Sequence, residues 1–372
     1  MQRCTWAQAL SWRVRRHYLE GRAGDPMDVV SRLCGVQAQL LSSAELALWA
    51  RVEGFRRGDL DRLLWDDRVA VKTWAMRGTL HVLAANELPV WHGGLATVRR
   101  YLRPALWKKH FGITMAQLDR LTEAIAESLT GRMLTREELV REVGRILRSR
   151  SLAAKMGASS WGTMLRPAAF TGRLCFGPSV GQRVRFTHPA TWLSTPPRTV
   201  DSETATAEIT RRFLAAYGPA TEHDLARWWI GGGVTVARQW IASLGEEVAT
   251  VDLEGQRAWI LARHVDELNG PPLKRSVRLL PAFDKYVLGA SYHATQILPP
   301  GLRGRVYRPQ GWISPVLLVN GRMEGTWRHQ MKGNRVEVKV EPFGQIGSWV
   351  RKGAGEDAER LAQFLGGSLS MA

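Results

Sequence analysis

The chain has 372 residues, and its 52 lysines and arginines against 34 aspartates and glutamates leave a formal net charge of +18. A content of 45% hydrophobic and 23% charged residues is that of a globular protein; it excludes disorder, collagen and coiled coil, and the length suggests two or more domains. Cys4, Cys34 and Cys175 are far apart and form no CxxC pair, which excludes a disulfide framework or a zinc ribbon and fits a reducing cytoplasm.

In chain order, helices are expected near 6–20, 27–34, 43–52 and 60–65, followed by strands at 71–75 and 79–83 joined by an Arg77-Gly78 turn. The next stretch is helical over 117–129. Thr135-Arg-Glu-Glu138 is a capping box opening a helix through 146, a third helix is expected around 159–170, and strands follow at 173–176 and 183–187. The Pro-Pro pair in 195–198 marks a linker. Beyond it come helices at 205–216, 221–229 and 234–244, then strands at 248–253 and 257–261 around a Glu254-Gly255 turn. Helix, helix, helix, hairpin is the order of a winged helix. The pattern Thr-x-x-acid-Leu recurs at Thr135/Glu138/Leu139 and Thr221/Asp224/Leu225, which supports an internal repeat, with the N-terminal stretch as a more divergent copy.

After Asn269-Gly-Pro-Pro272 the apolar period changes to two. Strands are expected at 277–280, 286–289, 313–319, 322–328 and 335–340, with Asn320-Gly321 as a hairpin turn, then a short helix near 356–365. The fold class is therefore α+β and mostly helical. Three tandem winged-helix modules, at 1–86, 87–194 and 199–267, precede a small C-terminal β-barrel or sheet at 268–372.

The charge is unevenly spread. From 143 to 200 there is no acid, while Arg145, Arg148, Arg150, Lys155, Arg166, Arg173, Arg183, Arg185 and Arg198 contribute nine positive charges. A second acid-free stretch, 98–118, interleaves Arg99, Arg100, Arg103, Lys108 and Lys109 with Tyr101, Trp107 and Phe111, a mix suited to phosphate contact and base stacking. A polyanion is the leading partner, because lysine and arginine that neutralise phosphates release condensed counterions. The bland alternative is a solvated basic face. No apolar run reaches the roughly 18 residues of a membrane span, and Arg3, Arg13, Arg15 and Arg16 break up the start, so a soluble, unexported, cytoplasmic protein near the nucleoid is expected. No protein partner is evident, and three fused modules suggest a monomer.

Nucleotide hydrolysis, zinc chemistry and serine or cysteine hydrolysis lack their motifs, and no metal or cofactor is suggested. Gly231-Gly-Gly233 joins two helices and reads as a helix-turn-helix turn. His81, His188 and His293 are scattered, as structural or surface histidines usually are.

Several motifs together carry a resemblance. They are Gly35-Val-Gln37-Ala-Gln39, Trp74-Ala-Met-Arg77-Gly-Thr-Leu-His81, Tyr217-Gly-Pro-Ala-Thr221, Leu280-Pro-Ala-Phe-Asp284, Trp312-Ile-Ser-Pro-Val and Gly321-Arg-Met-Glu-Gly-Thr-Trp-Arg328. From about Trp6 to Val340 the chain resembles the tandem winged-helix DNA glycosylases typified by AlkZ and YcaQ, and Gln37-Ala38-Gln39 is the glutamine form of that family's motif. The resemblance implies removal of N7-alkylated guanine from double-stranded DNA, unhooking of azinomycin-type interstrand crosslinks, and self-resistance. It also implies an open basic channel. Arg77, His81, Arg328 and His329 lie in the family-like motifs, and Arg145, Arg148, Arg150, Lys155, Arg183 and Arg185 are the candidate channel cations. For Arg77 and Arg328 a salt bridge between modules is the rival reading.

Two glutamines cannot accept a proton at neutral pH, but their amides can hold and orient a water at C1′. Gln37 and Gln39 are the catalytic candidates on that ground; capping of neighbouring helix ends is the structural alternative. Asp284 is the rival catalytic carboxylate, although such a residue more often fixes a turn. Lys285 beside it raises a Schiff-base lyase, which needs a desolvated amine of lowered proton affinity; next to Asp284 a monofunctional enzyme is expected. Two other classes remain open. A winged-helix transcription regulator would bind one sequence strongly, and an architectural protein would bend DNA without cleaving it.

Overall fold

Thr5 opens the first helix, α1 (Trp6–Arg16), by a capping box. Its hydroxyl accepts the Gln8 amide and Gln8 Oε1 accepts the Thr5 amide at 2.8 Å, satisfying two N–H groups that a helix start leaves unpaired. The same device recurs at Thr114/Gln117, Thr135/Glu138 and Thr221/Asp224. In the computed structural model, residues 2–193, 199–273, 275–289 and 294–371 are described. The expected linker at 195–198 and His293 lie outside them. About half of the chain is helical, and it divides into two compact units.

One unit comprises 1–60, 211–228 and 241–372. It holds α1, α2 (Pro26–Arg32), α3 (Leu41–Trp49) and the hairpin Val248–Leu253/Gln256–Leu261, to which the N-terminal strand Gln2–Cys4 adds in parallel, Gln2 opposite Val251. Its C-terminal part is a five-stranded sheet ordered Val277–Leu280, Val316–Val319, Arg322–Lys332, Arg335–Pro342, Ser368–Met371. Among the described residues the first and last strands of that order do not pair with each other, so this is a sheet and not a barrel. Asn320 at φ 47° and Gly321 at φ 82° make the expected two-residue turn. A side chain at Gly321 would also sit 2.9 Å from the Tyr286 hydroxyl, so glycine is required there twice over.

The strand expected at 286–289 is a helical turn, Lys285–Leu288. Asp284 caps it by accepting the Tyr286 amide at 2.8 Å, and this local bond overrides the β propensity of Tyr-Val. The terminal helix is longer than expected, Ser348–Leu365, and starts after Gly347 with no side-chain cap.

The second unit comprises 61–210 and 229–240. Strands Ala70–Trp74 and Leu80–Ala84 pair antiparallel around a turn in which Arg77 (φ 56°) and Gly78 (φ 67°) are both left-handed. A three-stranded sheet of Met133–Thr135, Arg183–Thr187 and Cys175–Val180 meets this hairpin through Trp74, whose ring lies 4.9 Å from Phe176 and 6.2 Å from Phe186. Helices Met115–Leu129 and Arg136–Ile146 match expectation. The helix expected around 159–170 is shorter, Arg166–Phe170, and an unexpected helix, Arg150–Ala158 capped by Ser149, precedes it, with Gly162 at φ 64° between them. No helix of the described residues is long and apolar enough to cross a membrane.

His17, at the end of α1, is buried, and its Nε2–H donates to the Ala216 carbonyl at 3.0 Å. Burial, reinforced by the neighbouring Arg51 cation, holds its proton affinity well below that of free histidine. A lowered folded-state pKa means that the unfolded chain takes up this proton first as pH falls. Stability is therefore full above pH ~6.5 and falls below it, by up to about 1.4 kcal/mol per pH unit for this one group. Urea titrations at stepped pH check this: His17→Gln should flatten the slope below pH ~6.5, and an unaltered slope would refute the assignment.

Candidate functional site

The two glutamines sit between α2 and α3 in a segment whose entry is closed off by backbone alone. The Cys34 amide donates to Ser31 O at 3.1 Å and the Gly35 amide to Val30 O at 2.7 Å, a Schellman arrangement ending α2. Cys34, not glycine, takes the left-handed position at φ 57°, and Gly35 follows at φ 83°. Such a conformation costs a non-glycine residue on the order of 1 kcal/mol, so the surroundings must hold it. Part of that hold is Tyr217, whose hydroxyl donates to Leu33 O at 2.8 Å. The Tyr217 ring is itself clamped edge-on by His17 at 5.1 Å and flanked by Phe213 at 5.5 Å.

The turn delivers Val36–Gln37, a two-residue strand, with Gln37 buried, Ala38 fully buried and Gln39 half-buried in the bend that follows. The α2 carbonyls are bonded by the Leu33, Cys34 and Gly35 amides, so that helix end does not need the glutamines as caps. This weakens the structural alternative at one of the two ends. Two amides two residues apart, one buried and one half-buried on a segment whose backbone is held, can fix one water molecule against a polar bond.

Asp284 is placed otherwise. Arg51 Nη2 donates to its Oδ1 at 2.7 Å and Nη1 to Oδ2 at 2.8 Å, while Oδ1 also accepts the Tyr286 amide. Both side chains of the pair are 0% exposed. The carboxylate is thus spent on a fork and a helix cap. Lys285 is buried with its ammonium 5.5 Å from the centre of the Trp228 ring, away from solvent. The sequence does not reveal Arg51 as the partner of Asp284; the two are 233 positions apart.

Among the expected DNA contacts, Arg145, Arg148, Arg150, Lys155 and Arg183 are exposed in the second unit, which also holds half-buried Arg185. Several are already engaged. Arg145 and Arg132 grip Glu142 at 2.7 and 3.0 Å and hold its carboxyl down to about 2; Lys155 donates to Gly112 O at 2.8 Å, and Arg185 to Pro178 O at 2.7 Å. Arg77 is half-buried in its turn. His81 is fully buried and its Nδ1–H donates to Thr79 O at 3.0 Å, so its ring is not offered to a phosphate. In the first unit Arg328 and His329 are both exposed on Arg322–Lys332.

Comparison with known proteins decides the family. Residues 30–364 match the model of the AlkZ-like DNA glycosylases. The chain belongs to that family. It is 36% identical, over 98% of its length and 97% of the relative's, to an interstrand DNA cross-link repair glycosylase of Streptomyces sahachiroi. Among solved structures it superposes on the Streptomyces sahachiroi DNA glycosylase AlkZ with a TM-score of 0.90 and 34% identity, covering 100% of both chains. The α+β fold with its C-terminal sheet is shared with that structure. Membership makes the chain an N-glycosylase, a hydrolase acting on DNA, and a transcription regulator is not favoured.

Proposed function

We propose that this glycosylase hydrolyses the N-glycosidic bond of N7-alkylated guanine, including guanine joined in azinomycin-type interstrand crosslinks, and that Gln37 and Gln39 position the attacking water. The observation that carries the reading is Gln37-Ala-Gln39 on a segment locked by the Schellman turn and Tyr217, in a chain aligned end to end with a cross-link repair glycosylase. Alkylation at N7 gives the guanine a positive charge, so the base leaves neutral and needs no strong general acid. What remains is a dissociative, oxocarbenium-like transition state, met by an oriented water and by fixed dipoles. Amide side chains supply both without a change of protonation, and Asp284 is not required for the step.

The remaining parts of the reading follow from that chemistry. Winged-helix modules at 1–86, 87–194 and 199–267, with the C-terminal β domain at 268–372, present Arg145, Arg148, Arg150, Lys155 and Arg183 to the phosphates, with Arg328 and His329 on the β domain. The enzyme works as a monomer on chromosomal DNA in the cytoplasm, without a cofactor. A crosslinked guanine cannot swing fully out of the duplex, so the DNA lies along an open basic surface.

Wild-type protein should release N7-alkylguanine from a labelled duplex and leave alkali-labile sites, and borohydride should trap no protein–DNA adduct. Background cleavage with tight, sequence-selective binding would favour a regulator instead. A trapped adduct would assign Lys285 or another amine a lyase role.

A further inference from the structure

The C-terminal end of α3 borders a cleft of about 330 Å³ in the first unit, far from the Gln37 end of the same helix. Four arginines line it: Arg22, Arg56, Arg57 and Arg360. Its acids are already spoken for. Glu53 pairs with Arg22 at 3.3 Å, and buried Asp357, beside the cleft, takes Arg360 at 2.7 Å on one oxygen and the Leu279 amide at 2.8 Å on the other. Arg56 and Arg57 are exposed and make no ion pair among the described residues. Arg278, outside the lining, is near enough to act on Arg360 electrostatically. Burial lowers the proton affinity of Arg360, and the Arg22 and Arg278 cations lower it further. Among the described residues the buried Nε–H groups of Arg22 and Arg278 have no hydrogen-bond partner, an arrangement that costs free energy unless an acceptor arrives.

The floor is aromatic. Trp49 carries Arg360 over its ring at 4.9 Å, and Phe364 stacks on Phe55 at 6.5 Å and 17°. Gly54 and Gly58, at φ 67° and 90°, hold the Arg56-Arg57 loop open, with no atom within 4 Å of a β-carbon built on either. Guanidinium groups in excess over carboxylates, with unused donors, match a phosphodiester, which they grip by a bidentate fork.

We propose that this cleft is a second DNA site, which takes a backbone phosphate of the strand flanking the lesion. Nine residues of α3 at about 1.5 Å each set it roughly 13 Å from the glutamine segment. The cleft rests on the glycosylase reading only in naming DNA as the source of the phosphate.

The test is the salt dependence of binding to an undamaged duplex. Arg56→Ala/Arg57→Ala, on an exposed loop, should weaken binding about three- to tenfold near 0.1 M salt and make the plot of log K against the logarithm of salt concentration shallower by about one for each phosphate no longer neutralised. Arg22→Gln, with its melting temperature measured alongside, should do the same from the other wall. In a duplex that carries the lesion, one of a series of single methylphosphonates stepped along the flanking strand should weaken wild type and not the variants. Unchanged affinity and slope in both variants would overturn the proposal. So would variants that lose binding of inorganic phosphate or AMP while duplex affinity stays at the wild-type value, since the site would then serve a free phosphate. Failure of the glycosylase reading shows separately, as wild-type protein that binds duplex with the full slope and excises nothing.

Discussion

Gln37→Ala and Gln39→Ala should each lower single-turnover excision of N7-alkylguanine by about 10²- to 10³-fold, the usual cost of removing one fixed dipole from a polar transition state. Duplex affinity and melting temperature should stay near wild type. Their combination discriminates between roles. If both amides hold one water, the double variant should be little slower than the worse single one, because the water is lost with either. Independent structural roles would add instead, and would show in the melting temperature. The segment is suited to the single-water role because its backbone is fixed without the glutamines: Cys34 and Gly35 close α2, and Tyr217 holds Leu33 O. Excision unchanged in both variants with normal DNA binding would remove Gln37 and Gln39 from the mechanism.

Local signals are legible in the sequence where the structure is made by neighbours. Thr135 and Thr221 cap helices three residues from their partners, and Asn320-Gly321 turns between adjacent strands. Gln37-Ala-Gln39 is legible as a motif for the same reason, being contiguous. What escapes depends on distant residues. The 286–289 segment reads as a strand until Asp284 is seen to cap it, and Asp284 is held in place by an arginine on the far side of the chain. Gln2–Cys4 becomes a strand only by adding to 248–253, which no periodicity in three residues can announce. The Arg22, Arg278 and Arg360 cluster comes from three separate segments, each of which reads as an ordinary basic position. His81 is a DNA-contact candidate only through its place in a family-like motif, and its burial keeps the ring from a phosphate.

Breaking the Arg51–Asp284 pair should cost about 3–5 kcal/mol, the largest stability effect expected in the chain, since removal of either partner leaves the other charge buried and unpaired. Arg51→Met strands a carboxylate with only the Tyr286 amide on it; Asp284→Asn keeps an oxygen for that amide but strands the guanidinium, which retains Ala47 O at 2.9 Å. Unfolding in urea should register both losses, and the double variant Arg51→Met/Asp284→Asn should lose less than the two singles together, because no uncompensated charge remains. The same variants separate the two roles offered to Asp284. A structural aspartate predicts that Asp284→Asn protein, assayed at a temperature where it is still folded, excises at a rate within a few-fold of wild type. A catalytic aspartate predicts the reverse pattern: full stability with excision abolished. The geometry favours the first, since a carboxylate with no exposure, held by two Arg51 donors and the Tyr286 amide, is not open to a water at C1′. Excision lost in Asp284→Asn at unchanged stability would return the general-base role to Asp284 and reduce the glutamines to positioning the substrate.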